Sequence, residues 1–138
     1  MDNDDEFGIK EVPEVWSHVS HKDKYWGHIT SVYADDNFTL KKIFMEKGSQ
    51  SSLEYHVRKD EYYYILSGRL KVGFRIGRAK NTSVIMEEGE TIHIKPGLMH
   101  MRMALKDTII IEWSNKDDDS DSNIVEDGKH YIHMEDKR

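Results

Sequence analysis

The chain has 138 residues, 37% of them hydrophobic and 33% charged, and this balance predicts one soluble globular domain with a single core. A formal net charge of −6 and an isoelectric point near 5.7 argue against a nucleic-acid-binding protein, which needs a basic face, and against binding to anionic lipid. There is no cysteine, so any metal must be held by histidine, carboxylate or amide groups.

The N-terminal residues 1–12 predict a flexible acidic tail. Their sequence, which begins "MDNDDEFGIK", lacks the apolar run of a signal peptide. No stretch approaches the roughly 18–20 apolar residues that a membrane-spanning helix needs. These observations predict a cytoplasmic protein whose residues 13–138 form one domain.

The body of the chain predicts an all-β domain. Short segments with strand character follow one another as "TLKKIFM", "EYYYILSG", "RLKVGFRIG", "TSVIM", "ETIHIK", "HMRMAL" and "TIIIEWS". Turn-forming clusters separate them, at "SGR", "GRAKN", "EEGE", "KPGL" and "LKD". Strands this short and this evenly spaced are typical of a β-sandwich or β-barrel.

Two of these segments are expected to supply the core. Leu70, Val72, Phe74 and Ile76 alternate along one face of a strand, and Ile109 to Ile111 with Trp113 form a denser apolar run. After that run, the block "KDDDSDSN" at residues 116–123 predicts an acidic surface loop, followed by a short C-terminal segment.

Polar residues that can bind metal occur at the ends of these strands. Glu54 and His56 are two residues apart, so they face the same side of an extended strand, and Glu61 opens the returning strand. Some forty residues further on, His100 follows a Pro-Gly turn. Two imidazoles with one or two carboxylates form a mixed nitrogen and oxygen set that suits iron, manganese, nickel or zinc.

The spacing of these residues resembles the cupin superfamily, whose first motif runs G-x5-H-x-H-x3-4-E-x6-G. In register with this motif stand Gly48, Glu54, His56, Glu61 and Gly68. Glu54 occupies the position where the first histidine is usual.

The second cupin motif, G-x5-P-x-G-x2-H-x3-N, is matched at Gly89, Gly97 and His100. The chain departs from it twice: Lys95 occupies the usual proline position, just before Pro96, and Ala104 replaces the asparagine. The resemblance covers about residues 25–115. It implies a single-domain jelly-roll barrel of antiparallel strands.

A narrower resemblance points to the mannose-6-phosphate isomerase cupins. It rests on "YWGH", "TLKKIFMEKGSQSSLEYH", "RKDEYYYILSGRLKV" and the Asp-rich "WSNKDDDSDSNIVEDGKHY". In that group a glutamine stands at the position of Glu54. The group's histidine-rich hairpin tip is absent, because Val57 and Arg58 occupy it here.

The resemblance implies one divalent metal ion, held by Glu54, His56, Glu61 and His100, and a small-molecule substrate. Three ligands, His56, Glu61 and His100, would leave coordination positions open for water and substrate. Glu54 is then either a fourth ligand or the base that moves a proton.

Four further residues are candidates for substrate contact or catalysis. Arg102 shares the strand parity of His100, so it faces inward and needs a partner, either a substrate carboxylate or phosphate or a neighbouring glutamate. Lys41 is a second candidate for a phosphate, and Lys95 for acid–base chemistry or a phosphate contact. Tyr63 has the parity of Glu61 and is expected to point into the barrel.

Three functions fit these residues. The first is metal-dependent aldose–ketose isomerisation of a sugar or sugar phosphate, with Glu54 or Lys95 as base. The second is an iron or manganese oxygenase or lyase that acts on a small carboxylated substrate. The third is a non-catalytic module that binds a sugar or metabolite. The edge strands of a jelly roll also favour a homodimer.

Overall fold

The computed structural model of the chain describes residue 8 and residues 10–17, 20–76 and 81–126. Most of the predicted acidic tail, most of the "GRAKN" turn and the C-terminal segment after residue 126 lie outside the described residues. In the described part, no helix has the length and apolar character needed to cross a bilayer.

The described residues form eleven strands and one short 3-10 turn at Asp119–Asp121. The strands are β1 (Ser20–Lys24), β2 (Gly27–Ala34), β3 (Thr39–Met45), β4 (Leu53–Tyr55), β5 (Glu61–Ser67), β6 (Arg69–Arg75), β7 (Thr82–Glu87), β8 (Thr91–Ile94), β9 (Met99–Ala104), β10 (Thr108–Ser114) and β11 (Asn123–Glu126). The seven strands predicted from the sequence are β3 and β5 to β10, so all seven are confirmed.

The strands pair antiparallel in two sheets. One sheet has six strands in the order β1-β2-β3-β10-β5-β8, and the other has five in the order β11-β4-β9-β6-β7. Neighbours within each sheet are mostly distant in sequence, as in a jelly roll. The predicted all-β jelly-roll fold is therefore confirmed.

The apolar core lies between the two sheets and is only partly the predicted one. Leu70 and Val72 of β6 are fully buried, whereas Ile76 lies beyond the strand and is 59% exposed. On β10 the inward positions are Thr108, Ile110, Glu112 and Ser114. The prediction that Ile109 to Ile111 and Trp113 supply the core is thus confirmed only for Ile110, because side chains alternate between the two faces of a strand and the other three are half-buried.

Gly68 makes the tight connection between β5 and β6. Its φ angle is +98°, and a Cβ atom there would lie 2.4 Å from the carbonyl oxygen of Asp107. Both the left-handed backbone and this close approach require glycine. The turn joins β5, which begins at Glu61, to β6 of the other sheet.

Candidate metal centre

The candidate ligands come from both sheets and meet inside the barrel. Glu54 of β4 pairs directly with His100 of β9 in the five-stranded sheet. His56 follows β4, and Glu61 opens β5 in the six-stranded sheet. Ligand atoms of Glu54, His56 and His100 lie within 4.8 Å of one another, which makes this trio a possible metal-binding group.

Glu61 contacts both histidines of the trio. Its Oε1 lies 2.9 Å from Nε2 of His100 and 3.7 Å from Nε2 of His56. Oε1 of Glu54 lies 3.7 Å from the same nitrogen of His56. His56, Glu61 and His100 are buried, and Glu54 is partly exposed. The structure therefore brings all four predicted ligands together.

Hydrogen bonds to backbone carbonyls fix the tautomers of the two histidines. Nδ1 of His56 is 3.1 Å from the carbonyl oxygen of Asp121, and Nδ1 of His100 is 2.8 Å from that of Leu98. A carbonyl oxygen only accepts, so both Nδ1 atoms donate. In the neutral imidazoles, Nε2 then carries a lone pair that faces the carboxylates.

This arrangement places acceptors against acceptors. Nε2 of His100 is buried and makes no aligned hydrogen bond, although Oε1 of Glu61 is only 2.9 Å away. An imidazole lone pair and a carboxylate oxygen repel each other at this distance unless a proton or a metal cation lies between them. Metal-binding histidines characteristically donate their second ring N–H to a carbonyl, as both do here. The donor set thus fits a divalent ion.

The pKa values record the same conflict. Burial opposes the charged form of His100, but the close carboxylate of Glu61 outweighs it and raises the pKa of His100. Burial would also raise the pKa of Glu61, yet His100 and Lys59 together hold it well below its usual value. Glu61 is therefore ionised and needs positive charge beside it.

Lys59 supplies part of that charge. Its Nζ lies 3.1 Å from Oε2 of Glu61, 3.3 Å from Oε2 of Glu112 and 3.4 Å from Oδ1 of Asp117. Burial disfavours the ammonium, but these carboxylates outweigh it and raise the pKa of Lys59. Lys41 extends the group, because it contacts Asp117 and lies 4.0 Å from Glu112.

A cleft of about 440 Å³ opens beside these residues. Its walls include Trp26, Glu54, His56, Lys59 and Arg102. Glu54 and His56 thus connect the candidate metal position with a space that can hold a small molecule.

The predicted substrate-contact residues lie in different places. Arg102 and Lys41 line the cleft, but the ammonium of Lys41 is already paired with Asp117. Tyr63 is fully buried, as its parity predicts, and its hydroxyl donates to Oε1 of Glu61 at 3.1 Å. Lys95 is exposed and is not among the residues that line this cleft, so the structure does not bring it to the other candidates.

The acidic block at residues 116–123 contributes to the site in a way that the sequence did not reveal. The carboxylate of Asp121 accepts hydrogen bonds from the backbone N–H groups of Val57, Arg58 and Lys59, at 2.8–2.9 Å. Asp121 is 3% exposed, so the predicted acidic surface loop is in part a buried element. The backbone donors of the loop between β4 and β5 draw this carboxylate inward.

Glu112 and Lys59 were also missed. The alternation of β10 carried the signal for Glu112, since Ile110 and Ser114 on either side of it face inward. Lys59 lies between β4 and β5, where no strand periodicity indicates direction.

Comparisons with known proteins agree with this fold. The profile of the Cupin family matches residues 36–133. A mannose-1-phosphate guanylyltransferase of Salmonella montevideo is 27% identical over 85 residues, which cover 60% of this chain and 17% of that protein. The germin-like protein 3-7 of Oryza sativa subsp. japonica is 33% identical over 63 residues, or 46% of this chain and 27% of that protein. The chain therefore spans about a quarter or less of the length of these relatives.

Solved structures share the fold. The capsular polysaccharide assembling protein CapF from Staphylococcus aureus superposes with a TM-score of 0.71 and 18% identity, covering 81% of this chain and 32% of CapF. Oxalate decarboxylase of Bacillus subtilis superposes with a TM-score of 0.67 and 16% identity, covering 77% of this chain and 30% of that one. At this level of identity the likeness establishes a common architecture.

Proposed function

The chain belongs to the cupin family, and on that premise we propose that it is a metal-dependent enzyme that acts on a sugar or sugar phosphate, by aldose–ketose isomerisation. The observation that carries the metal assignment is the pair of imidazole Nε2 atoms that face carboxylates, each with its Nδ1 engaged by a carbonyl. The sugar assignment draws on the guanylyltransferase relatives and on the size of the cleft.

The proposed ligands are His56, Glu61 and His100, with Glu54 as fourth ligand or as base. When bound, a divalent ion such as zinc, manganese, iron or nickel would polarise the carbonyl and hydroxyl oxygens of the substrate. Glu54 borders the cleft and is partly exposed, so its carboxylate can reach a substrate carbon-bound proton and return it to the adjacent carbon.

Two neighbouring side chains hold the proposed ligand Glu61 in place. Tyr63 donates to Glu61 and Lys59 neutralises it, so the carboxylate stays ionised in a buried position. Lys41 lines the cleft beside its partner Asp117, and we propose that it contacts the substrate there. Lys95, which lies outside this cleft, has no role in the proposed reaction.

The wider assignments rest on simpler arguments. We place the domain at residues 13–138 and the protein in the cytoplasm. We also propose a homodimer, because a jelly roll leaves edge strands whose unpaired backbone groups favour pairing with another chain.

Metal quantification tests the site. The full chain, purified without chelators, is expected to retain about one divalent ion, and His56→Ala is expected to lose most of it. His93→Ala is the matched control, since His93 is exposed and contacts Asp60 outside the site. Unchanged metal content in His56→Ala would refute the ligand assignment.

Activity assays test the reaction. The metal-loaded protein is expected to interconvert mannose 6-phosphate and its ketose, and Glu54→Gln to reduce the rate by about 10²- to 10⁴-fold if Glu54 moves the proton. Retained iron with oxygen uptake would instead support an oxygenase. Absence of bound metal, with a sugar still raising the melting temperature, would support a binding module.

A further inference from the structure

Among the described residues, Arg102 is a buried cation with no acidic partner within ion-pair distance. The side chain lines the cleft and the residue is 7% exposed. Within residues 20–76 and 81–126, its guanidinium makes no ion pair and no hydrogen bond, and its Nη1 is buried without an acceptor. A guanidinium carries five N–H donors, and burying them unpaired is costly.

Two aromatic rings hold this guanidinium in place. Its central carbon lies 5.2 Å from the ring centre of Trp26 and 5.4 Å from that of Tyr63. These cation–π contacts attract the charge and fix the orientation of the side chain. They supply no oxygen acceptor for the N–H groups, so the guanidinium borders the cleft without an acceptor of its own.

The neighbouring carboxylates are committed elsewhere. Glu112 contacts Lys59 at 3.3 Å, and Glu61 contacts Lys59 at 3.1 Å and His100 at 2.9 Å. Glu54 lies beside His56. Among the described residues, Arg102 therefore does not form the ion pair with a neighbouring glutamate that the sequence left open.

With a divalent ion at the proposed metal position, the charge of the site would favour an anion beside Arg102. Four carboxylates, those of Glu54, Glu61, Glu112 and Asp117, are gathered with three cations, Lys41, Lys59 and Arg102. A divalent ion at the proposed metal position would reverse the balance and leave one positive charge in excess. Buried charge is stable only when compensated, and the cation without a partner is Arg102.

We propose that Arg102 is a binding site for an anionic group of the substrate, a carboxylate or a phosphate. Both groups offer paired oxygens that match the planar fork of a guanidinium. The reacting part of such a substrate would lie toward Glu54 and His56 on the same cleft. This assignment extends the proposed function to a substrate class, acidic sugars, but the anion site is defined by Arg102 and the two rings without the metal.

Calorimetric titration tests this site with inorganic phosphate and malonate, in both metal-free and zinc-loaded full-length protein. Arg102→Gln is expected to weaken binding of at least one of the two anions by about ten- to a hundredfold in both forms. Arg69→Gln removes an arginine that pairs with Glu87 away from the cleft, and is expected to leave affinity unchanged. The better probe identifies which oxyanion the site prefers.

Two results would overturn the proposal. One is equal anion affinity in wild type and Arg102→Gln. The other needs no variant: failure of both anions to raise the melting temperature of the wild type above that in chloride of equal ionic strength. If Arg102→Gln does not fold, Arg102→Lys serves in its place. It retains the positive charge but not the planar fork, and is expected to bind the anions more weakly than the wild type. If the protein binds no metal but still binds anions in a way that depends on Arg102, the metal assignment is refuted and the anion site is not.

Discussion

The ammonium of Lys59 lies among three carboxylates, those of Glu61, Glu112 and Asp117, at 3.1–3.4 Å. All but Asp117 are almost completely buried, so water can do little to screen their mutual repulsion. At the scale of single residues, the ionised state of Glu61 thus depends on Lys59 as well as on the histidines.

Replacing this lysine is expected to destabilise the protein strongly. Lys59→Met leaves uncompensated buried carboxylates and should lower the free energy of unfolding by about 3–5 kcal/mol, as measured by urea denaturation at pH 7. Lys106→Met is the control, because Lys106 is exposed, and its cost should stay within about 0.5 kcal/mol.

A second substitution tests the cause. Adding Glu112→Gln to Lys59→Met removes one of the repelling charges, so the double variant should recover part of the loss. If Lys59→Met costs no more than Lys106→Met, the charge argument fails.

The sequence predicted the polar residues that occupy regular positions. His56, Glu61 and His100 stand in motif register, and Tyr63 points inward because strand parity requires it. Lys59 could not be predicted, because its direction is set by acidic partners from β10 and the C-terminal segment, contacts that only the folded chain creates.

At the scale of elements, the turn Asp119–Asp121 and strand β11 act as a clasp on the loop that connects β4 to β5. Strand β11 pairs with β4, and the side-chain amide of Asn123 donates to the carbonyl oxygen of Tyr55 at 3.3 Å. The backbone carbonyl of Asp121 orients His56, and the side-chain carboxylate of Asp121 accepts hydrogen bonds from three consecutive backbone N–H groups. Burial opposes ionisation of Asp121, but those N–H groups outweigh it and lower its pKa.

Loosening this clasp should affect metal binding as well as local stability. Asp121→Ala is expected to speed amide hydrogen exchange at Val57, Arg58 and Lys59, which lose their acceptor. It should also weaken metal affinity about tenfold, since His56 is then less well oriented. Asp119→Ala is the control, because its side chain is exposed on the same turn. Faster exchange in both variants alike would contradict this role of Asp121.

Seven of the eleven described strands were predictable, whereas the clasp was not. Alternation and turn residues specify β3 and β5 to β10 locally, so no knowledge of distant contacts was needed. The acidic block before β11 has the composition of a solvated loop. Its burial depends on amide donors more than 60 residues away, which no local pattern reports.

At the scale of the whole molecule, Asp117 links the acidic block at residues 116–123 to the six-stranded sheet. It contacts Lys41 of β3 and Lys59 before β5. Burial would raise the pKa of Asp117, but the two lysines outweigh it and hold the pKa below 3.8. A carboxyl group with a lowered pKa stabilises the folded state above its unfolded pKa, and that contribution is lost as the pH falls through the folded value.

Asp117→Asn is therefore expected to be less stable than wild type by about 1.5–3 kcal/mol at pH 6. The difference should shrink as the pH falls below about 4, because the carboxyl group is protonated first in the unfolded wild type and then, at lower pH, in the folded protein as well. Urea denaturation of both proteins from pH 6 to pH 3 measures this. A difference that stays constant over that range would exclude the ion pairs as its source.

The hydrogen bond between His56 and Asp121 joins residues 65 positions apart. Long-range contacts of this kind form late in folding, after the intervening loop has been closed. During synthesis, a chain that has reached Ser114 already contains all four candidate ligands, yet it lacks the carbonyl that orients His56. On the proposed metal assignment, competence to capture metal would thus arise only once the chain has passed Asp121, and metal uptake would then mark a finished barrel.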